Sequence, residues 1–323
     1  MITIKGLARE LNLSASAVSR ALSNEPERVK LVSAGKRERI LRAAREKGYR
    51  RNRHAEYLQQ GKSATIGVFV PEICDRLMCE LVFGIAETAF RHGFPVNIHP
   101  GMDSASYEEF IRANLNNPGV GIISYPTTFD ASNRSRELLV QYRRQHGKIL
   151  LLNSATPEKG MPSLAMDEAH GGRLAAEALQ EHDCDLYVHC GATRYVARQR
   201  MEGFVAALKD KRVQSVPRGA DPAFWRRLLR QHARIGVFAR HDRAASGYIA
   251  DLRRVEARFG ENAFIVGYDN MSLSEHLDPA LTTIVQPFRE EGRLAVEMLL
   301  ASIYGKKTEN RLLKPSLLRR ASA

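Results

Sequence analysis

Near the start of the chain, one face of a short helical stretch carries small and hydrogen-bonding side chains that suit contact with DNA bases. This face consists of Ala15, Ser16, Ser19 and Arg20, and the apolar residues Val18, Ala21 and Leu22 fall on the opposite face at helical spacing. An arginine can donate two parallel hydrogen bonds to O6 and N7 of guanine, and small neighbours let the helix backbone approach base edges. The pattern therefore predicts base reading in a major groove, with Arg20 as the principal contact.

Two short helices are needed to hold this face in place. The first carries an apolar stripe of Ile4, Leu7, Ala8 and Leu11, which share one face at helical spacing. Thr3 and Ser14 each precede a helix and can accept from free N–H groups of the first turn, while Asn12 tolerates the left-handed geometry of a tight turn. The spacing predicts a helix-turn-helix, although an ordinary helical hairpin on a globular surface would give the same pattern.

The run from Thr3 to Asn24, which contains Val-Ser-Arg at positions 18–20, resembles the opening of the lactose-repressor/galactose-repressor (LacI/GalR) family of bacterial transcription regulators. The resemblance implies that Ala15, Ser16 and Arg20 face bases and that Ser14, Ser19 and Asn24 lie closer to phosphates. Thr3 belongs to the same expected DNA-binding set. Gly6 and Asn12 depart from the family's usual residues, and Gly6 weakens the first helix by roughly 0.5–1 kcal/mol.

A third helix should complete the head. Ser33 is its expected cap, Ile40, Leu41 and Ala44 form its inward stripe, and Gly48 is its expected stop. Residues 1–62 contain 15 Lys and Arg against 6 Asp and Glu, which places +9 of the chain's net charge of +13 in this segment. A basic head on a nearly balanced body is the electrostatic pattern of a module that binds a polyanion. We expect the basic flank of the third helix, Lys36, Arg37, Arg39, Arg42, Arg45 and Lys47, to lie in the phosphate field.

Residues 49–62 join the head to the rest of the chain. Residues 54–60 favour a helix that is too short and polar to be stable alone, so it should form only against a partner. In the resembling family this segment is the hinge helix, which orders on operator DNA, pairs with its dimer mate and inserts a leucine into the minor groove. Asn52, Ala55 and Leu58 match that pattern, whereas Arg51 replaces the usual proline. A plain linker with one solvent-facing leucine is the alternative.

From residue 63 onward, strands and helices alternate. The expected strands are Thr65–Val70, Pro95–Ile98, Val120–Ile123, Ile149–Leu152, Leu186–Cys190, Ile235–Phe238 and Ala263–Val266. The expected helices lie near 77–92, 105–115, 132–146, 168–181, 194–209, 221–232 and 242–259. The alternation predicts an α/β fold with two doubly wound parallel subdomains and a cleft at the carboxyl ends of the strands.

Three segments of this body resemble the effector domain of the same family, which is built like a periplasmic sugar-binding protein: Arg198–Leu208, Val266–Asn270 and Leu281–Pro287. The resemblance implies that Arg200 and Asp269 are the principal effector ligands, since a guanidinium fork and a carboxylate can fix vicinal hydroxyls. Alternatively, Asp269 caps the next turn and Arg200 pairs with a surface acid.

Further pocket residues follow from the same comparison. We expect Arg76 to face the cleft, Phe224 or Trp225 to stack on a sugar ring unless they pack in the core, and His241 to stand where sugar-binding relatives often have Asn. With Arg194 and Arg198 near Arg200, His241 suggests the hypothesis of an acidic or phosphorylated sugar effector. The expected effector is thus a small sugar, sugar acid or sugar phosphate.

Other functional classes are disfavoured by what the sequence lacks. It contains no apolar run of 18 residues, no apolar signal-peptide core, no phosphate-binding glycine loop and no catalytic motif, so we expect no membrane partner, no cofactor and no enzyme activity. Cys74, Cys79, Cys184 and Cys190 lack zinc-finger spacing and need no disulfide. A metal cluster of His182, Cys184, His189 and Cys190 is disfavoured, because strand alternation points His189 and Cys190 to opposite faces.

The sequence therefore predicts three segments: a DNA-binding head at 1–48, a hinge at 49–62, and an effector-binding and dimerisation domain at 63–323. The expected partners are double-stranded operator DNA, a carbohydrate-type effector and a second copy of the chain, since no heptad tail favours a tetramer. We expect a cytoplasmic, nucleoid-associated repressor of a carbohydrate-utilisation operon. A solute-binding protein and a sugar-modifying enzyme on the same fold are the alternatives.

Overall fold

The computed structural model describes residues 3–23, 26–49, 64–71, 76–116, 119–125, 133–145, 147–154, 161–190, 195–217 and 220–323. These residues form two compact units, a helical head within residues 1–64, with which residues 304–306 group, and an α/β body made of 65–303 and 307–323. No helix among the described residues is both long enough and apolar enough to cross a bilayer.

The described residues of the head form four helices: α1 Ile4–Leu11, α2 Ala15–Ala21, α3 Pro26–Val29 and α4 Ala34–Glu46. Its core consists of Leu7, Ala8, Val18, Ala21, Ile40 and Ala44, and the predicted stripe residues Ile4, Leu11 and Leu22 are partly buried against it. Leu41, which was expected on the inward stripe of the third helix, does not join this core. The predicted turn is confirmed, because Asn12 ends α1 at φ 51°, in the left-handed region.

Two details of the head differ from the prediction. The four-residue helix α3 was not expected, because a single turn is too short to show a hydrophobic period. Ser33 stands at the N-cap position of α4, but its side chain makes no capping hydrogen bond. Gly48 has a φ of 61°, which confirms it as the stop of this helix.

The strands of the first sheet of the body are β1 Ile66–Val70, β2 Val96–Pro100, β3 Gly121–Ser124, β4 Ile149–Leu152, β5 Ser163–Met166 and β11 Arg311–Leu313. This sheet is entirely parallel, in the order β11-β5-β4-β3-β1-β2. With its helices α5 Arg76–Arg91, α6 Ser104–Asn116, α7 Asn133–Gln145 and α12 Phe288–Ile303 it forms what we call the first lobe.

The strands of the second sheet are β6 Leu186–Cys190, β7 Val213–Val216, β8 Ile235–Phe238, β9 Ala263–Tyr268, β10 Thr282–Val285 and β12 Ser316–Leu318. This sheet has the order β12-β10-β9-β8-β6-β7 and is parallel except for β12 at its edge. Its helices are α8 Glu168–Gln180, α9 Tyr195–Leu208, α10 Pro222–Gln231 and α11 Asp242–Arg254, followed by a 3₁₀ turn at Ser272–Glu275, and together they form the second lobe. The predicted fold of two doubly wound α/β halves is confirmed, although α11 ends five residues before the predicted boundary.

Glycines let the helices pack in close pairs in each lobe. In the second lobe, a Cβ on Gly172 of α8 would lie 1.9 Å from the carbonyl oxygen of Arg200, and one on Gly203 of α9 would lie 2.0 Å from that of Ala169. In the first lobe, Gly84 of α5 and Gly292 of α12 make equally close approaches. Because any larger residue would push the backbones apart, these glycines fix which side chains of the paired helices can meet.

Candidate DNA-reading face and effector site

The structure exposes the face of α2 that the sequence assigned to base reading. Ala15, Ser16 and Arg20 are exposed and Ser19 is half-buried, whereas Val18 is fully buried on the opposite side. The side chain of Arg20 is exposed, and no carboxylate among the described residues pairs with it. The packing of α2 thus leaves a polar, cationic surface with small side chains at its N-terminal end.

Thr3 and Ser14 are capping residues with exposed hydroxyls. Thr3 Oγ1 accepts from Gly6 N at 3.1 Å, and Ser14 Oγ accepts from Ala17 N at 3.1 Å, as the sequence predicted. A hydroxyl that accepts a hydrogen bond still has its own proton to donate, so both groups can contact a phosphate oxygen without releasing the cap.

Two arginines of α4 have an internal role that the sequence analysis missed. Arg39 Nη2 donates to the carbonyl oxygen of Leu11 at 3.2 Å, and Arg37 Nε donates to that of Ala21 at 3.4 Å. These carbonyls stand at the C-terminal ends of α1 and α2, where a cation is favourable. Part of the basic flank therefore holds the three helices together.

Four residues of the expected DNA-binding set lie outside the described residues: Asn24, Asn52, Ala55 and Leu58. Their roles stay predictions, as does the hinge at 49–62.

In the second lobe, Arg200 of α9 is only 8% exposed and pairs with a buried acid. Its Nε and Nη2 donate to the two carboxylate oxygens of Glu168 at 2.7 and 3.2 Å, and its Nη1 donates to the carbonyl oxygen of Arg240 at 2.8 Å. The guanidinium also lies 3.7 Å from the ring centroid of Tyr268, whose hydroxyl donates to Glu168. Arg200 is therefore held rigidly by three separate elements.

Glu168 is the main residue of this site that the sequence analysis missed. It occupies the first turn of α8 and is 5% exposed. Acids are common in the first turn of a helix because their negative charge interacts favourably with the positive end of the helix dipole. The residue type and position of Glu168 therefore gave no sign that it is buried. The glycines that draw α8 and α9 together were the available signal, because this close packing brings the start of α8 against Arg200.

Asp269 follows β9 and faces Arg200. Its Oδ1 lies 3.6 Å from Arg200 Nη1 and accepts from Gln286 Nε2 at 2.6 Å. Burial raises the pKa of Asp269 to about 6, although Arg200 acts in the opposite direction. The residue has a φ of 102°, an unfavourable conformation for a non-glycine residue that must be compensated by the surrounding contacts.

His241 is the N-cap of α11. Its Nδ1 accepts from Ala244 N at 2.9 Å, and Arg240 Nε lies 3.2 Å from its Nε2. Burial and the charge of Arg240 lower the pKa of His241 to about 4, so the imidazole is neutral at pH 7.

The aromatic stacking expectation is wrong for Phe224 and Trp225. Phe224 is 6% exposed and Trp225 fully buried, and both pack in the core of the second lobe between α10 and its sheet. They follow the cap Asp221 on the inward face of the helix, where burial of their large apolar surface stabilises the fold. Core packing, the alternative interpretation, is the correct one.

The other arginines expected near the pocket are solvent-exposed or undescribed. Arg76 is the exposed first residue of α5, which follows β1 in the chain. Arg198 is exposed on α9, where its Nε lies 3.9 Å from Glu202 Oε1. Arg194 lies outside the described residues. The buried part of the site thus contains one arginine, Arg200, among the described residues.

No cluster of three or more His, Cys, Asp and Glu among the described residues is arranged to hold a metal ion. His189 Nδ1 instead lies 3.2 Å from the carbonyl oxygen of Cys190, and burial raises the pKa of the Cys184 thiol to about 12.

The chain is similar to a known domain family and to two transcriptional repressors. Residues 176–323 match the family model of the periplasmic binding protein-like domain. Over 99% of its length the chain is 29% identical to the HTH-type transcriptional repressor CytR of Escherichia coli K12, covering 96% of that protein. Over 94% of its length it is 27% identical to the ribose operon repressor of Halalkalibacterium halodurans, covering 91% of it.

Among solved structures, the lac repressor dimer bound to operator and the anti-inducer ONPF is similar across 99% of this chain and 98% of its own. The TM-score is 0.65 and the sequence identity is 23%, so this similarity shows a shared fold.

Proposed function

Because the chain belongs to the lactose-repressor/galactose-repressor family of transcription regulators, we propose that it represses transcription as a homodimer on operator DNA and that a small effector controls its binding. Its relatives are transcriptional repressors and not enzymes. A solute-binding protein or a sugar-modifying enzyme on the same α/β fold is therefore not favoured.

The exposed face of α2 carries this proposal. Arg20, without a carboxylate partner among the described residues, reads a guanine, while Ala15 and Ser16 let the helix approach the bases. Ser14, Ser19, Thr3 and Asn24 contact phosphates. The exposed cations of the head add a sequence-independent attraction that weakens steeply with salt, because each phosphate contact releases a counterion.

We propose the division of labour that the sequence suggested: a head at 1–48, a hinge at 49–62, and an effector and dimerisation domain at 63–323. Asn52, Ala55 and Leu58 of the hinge order on DNA, with Leu58 inserted into the minor groove. Such a repressor would work in the cytoplasm, in association with the nucleoid.

The effector site in this proposal centres on Asp269, with Arg200 holding it in place and His241 and Arg76 nearby. Asp269 Oδ2 has no hydrogen-bond partner among the described residues, so it can accept from a hydroxyl of the effector. Effector binding would shift the population of conformations of the two lobes and, through them, the population of ordered hinge. The ribose operon repressor among its relatives supports a carbohydrate-type effector.

The test selects bound sequences from a pool of random duplexes with the full chain, then measures affinity for the selected and for random DNA at fixed salt. Arg20→Ala should lower the preference for the selected sequence roughly tenfold or more, because a bidentate base contact is worth about 1–3 kcal/mol of discrimination. Arg42→Ala is the matched control, since Arg42 is an exposed arginine of α4 near Glu38 and should weaken binding to all duplexes alike.

The proposal fails if the wild-type chain prefers no duplex over random DNA at moderate salt. It also fails if Arg20→Ala leaves the preference unchanged.

A further inference from the structure

Glu168 neutralises the charge of Arg200 within the protein. The Nε and Nη2 groups of the guanidinium donate to the two carboxylate oxygens of Glu168 at 2.7 and 3.2 Å, in the bidentate geometry that a carboxylate or phosphate of a ligand would otherwise use. The carbonyl oxygen of Arg240 takes a third N–H group at 2.8 Å. An anionic ligand could take this bidentate position only by displacing Glu168, which is 5% exposed.

The buried charge at this site is not positive. Glu168 and Asp269 contribute two carboxylates against the single guanidinium of Arg200. Of the other buried neighbours, Asp242 is a further acid, whereas Gln286 is an amide and burial raises the pKa of Tyr268 well above its ordinary value, so neither of these two is charged at pH 7. His241 is neutral as well, because its pKa is lowered to about 4. Nothing among these groups would compensate a further negative charge.

The nearby cations are at the solvent-exposed surface. Arg240 and Arg198 are exposed, and Arg198 lies near Glu202. Water and salt screen charges at such positions, so these side chains offer an anion much less than a buried guanidinium would.

We propose that Glu168 determines the charge selectivity of the effector site: by neutralising Arg200, it makes the site accept uncharged, hydroxyl-rich effectors and reject those with a carboxylate or phosphate. This inference rests on the proposed function of the site, and it replaces the hypothesis of an acidic effector.

The physical basis is the cost of burying a charge without a partner. An anionic group placed beside Glu168 and Asp269 would lose its hydration and gain repulsion from two carboxylates. A hydroxyl costs far less, because it can donate to Asp269 Oδ2, which has no partner among the described residues. Glu168 thus acts on the ligand through Arg200.

The experiment titrates the full chain with inorganic phosphate at constant ionic strength, by calorimetry. Four proteins are compared: the wild type, Glu168→Gln, the double variant Glu168→Gln/Arg200→Met, and Glu202→Gln. Glu168→Gln keeps the shape of the side chain but removes its charge, and so leaves a single carboxylate, that of Asp269, beside Arg200. Glu202→Gln is the matched control, because it removes a carboxylate from beside an exposed arginine of the same helix.

We expect Glu168→Gln to bind phosphate roughly tenfold more tightly than the other three proteins, which share only the binding due to surface cations. Equal phosphate binding by Glu168→Gln and the wild type would overturn the proposal. So would a phosphate-binding component that the wild type has and the double variant lacks, because Arg200 would then already bind phosphate in the presence of Glu168.

A second measurement pairs ribose with ribose 5-phosphate on the wild type and Glu168→Gln. We expect the affinity for ribose 5-phosphate, relative to that for ribose, to be roughly tenfold higher in Glu168→Gln than in the wild type. An unchanged ratio would count against the proposal. Binding of selected DNA is recorded on the same samples: if DNA recognition is present but charge selectivity is not, this inference fails while the proposed function stands.

Discussion

Asn153 and Glu291 join the end of β4 to the first turn of α12 in the first lobe, where Asn153 Nδ2 donates to Glu291 Oε1 at 2.8 Å. Asn153 is in the left-handed region, with a φ of 45°, and its Oδ1 accepts from Met166 N at 2.9 Å. One amide side chain thereby connects β4, β5 and α12. Glu291 Oε2 has no partner among the described residues, so this buried carboxyl is only half satisfied.

This arrangement predicts a stability that falls with rising pH. Burial, with a smaller contribution from Glu168, raises the pKa of Glu291 to about 8, although the bond from Asn153 acts in the opposite direction. Between the ordinary pKa of 4.5 and about 8, the folded state keeps a proton that the unfolded state releases, so the free energy of unfolding decreases as pH increases. Glu291→Gln mimics the protonated acid. We expect its stability relative to the wild type to increase by about 1–2 kcal/mol between pH 6 and pH 8 in denaturant titrations.

Glu297→Gln, at an exposed position of the same helix, is the control and should show no such trend. A difference between Glu291→Gln and the wild type that is the same at both pH values would contradict the prediction.

His241 predicts the opposite pH dependence. Its folded-state pKa of about 4 lies below the ordinary value of 6.5, so its contribution to stability is present above pH 6.5 and is lost as pH falls toward 4. Asn can accept from Ala244 N without titrating. Melting temperatures of His241→Asn and the wild type should therefore diverge in favour of the variant as pH is lowered from 7 to 5.

His241→Ala removes the cap itself and should cost about 1 kcal/mol at pH 7. If His241→Ala is as stable as the wild type at pH 7, the capping role is wrong.

Ser14 and Ser16 differ in role although they are two residues apart. Ser14 Oγ accepts from Ala17 N, whereas Ser16 has no described side-chain hydrogen bond. Ser14→Ala should destabilise α2 by about 1 kcal/mol, because a free N–H group of the first turn loses its acceptor. Ser16→Ala should leave α2 as stable as before. Amide hydrogen exchange of the head, measured in the full chain, distinguishes the two, and equal protection in both variants would disprove the cap.

The close approach of α8 and α9 predicts a strong effect of a single methyl group. Gly172→Ala would place a Cβ 1.9 Å from the carbonyl oxygen of Arg200, so the helices must separate and the Glu168–Arg200 pair must stretch. We expect a loss of stability of about 1–3 kcal/mol. Gly247→Ala on α11 meets nothing within 4 Å and should instead stabilise by about 0.4–1 kcal/mol. Denaturant titrations check both signs, and a neutral Gly172→Ala would show that the packing can relax.

The head and the fold class could be predicted because their signals are local. Thr3, Ser14 and Asn12 act within three residues of their own position, and the stripe through Leu7 and Val18 shows the helical period directly. The sequence analysis did not identify five strands: β5, β7, β10, β11 and β12. Mixed burial in β7, β11 and β12, and the polar pair Thr282 and Thr283 in β10, hide the continuous apolar run by which a buried parallel strand is recognised.

The residues of the candidate effector site were predicted only where the family resemblance supplied them. Arg200 and Asp269 do lie together, but Glu168 and Gln286 come from distant parts of the chain, and their burial depends on packing that no local pattern reveals. Phe224 was misassigned for the same reason, since an aromatic residue at a helix start can face either a ligand or the core.

Each lobe is assembled from two separate stretches of the chain. The first lobe needs β11 at its sheet edge and α12 against α5, both of which come after the second lobe's strands β6 to β10. On the ribosome, β1 to β5 must therefore wait until residues 288–313 have been synthesised before the first lobe can complete its fold. A nascent chain arrested before residue 288 would leave the apolar side of α5 uncovered, so the synthesis of the second lobe is a period when the first lobe needs protection from aggregation.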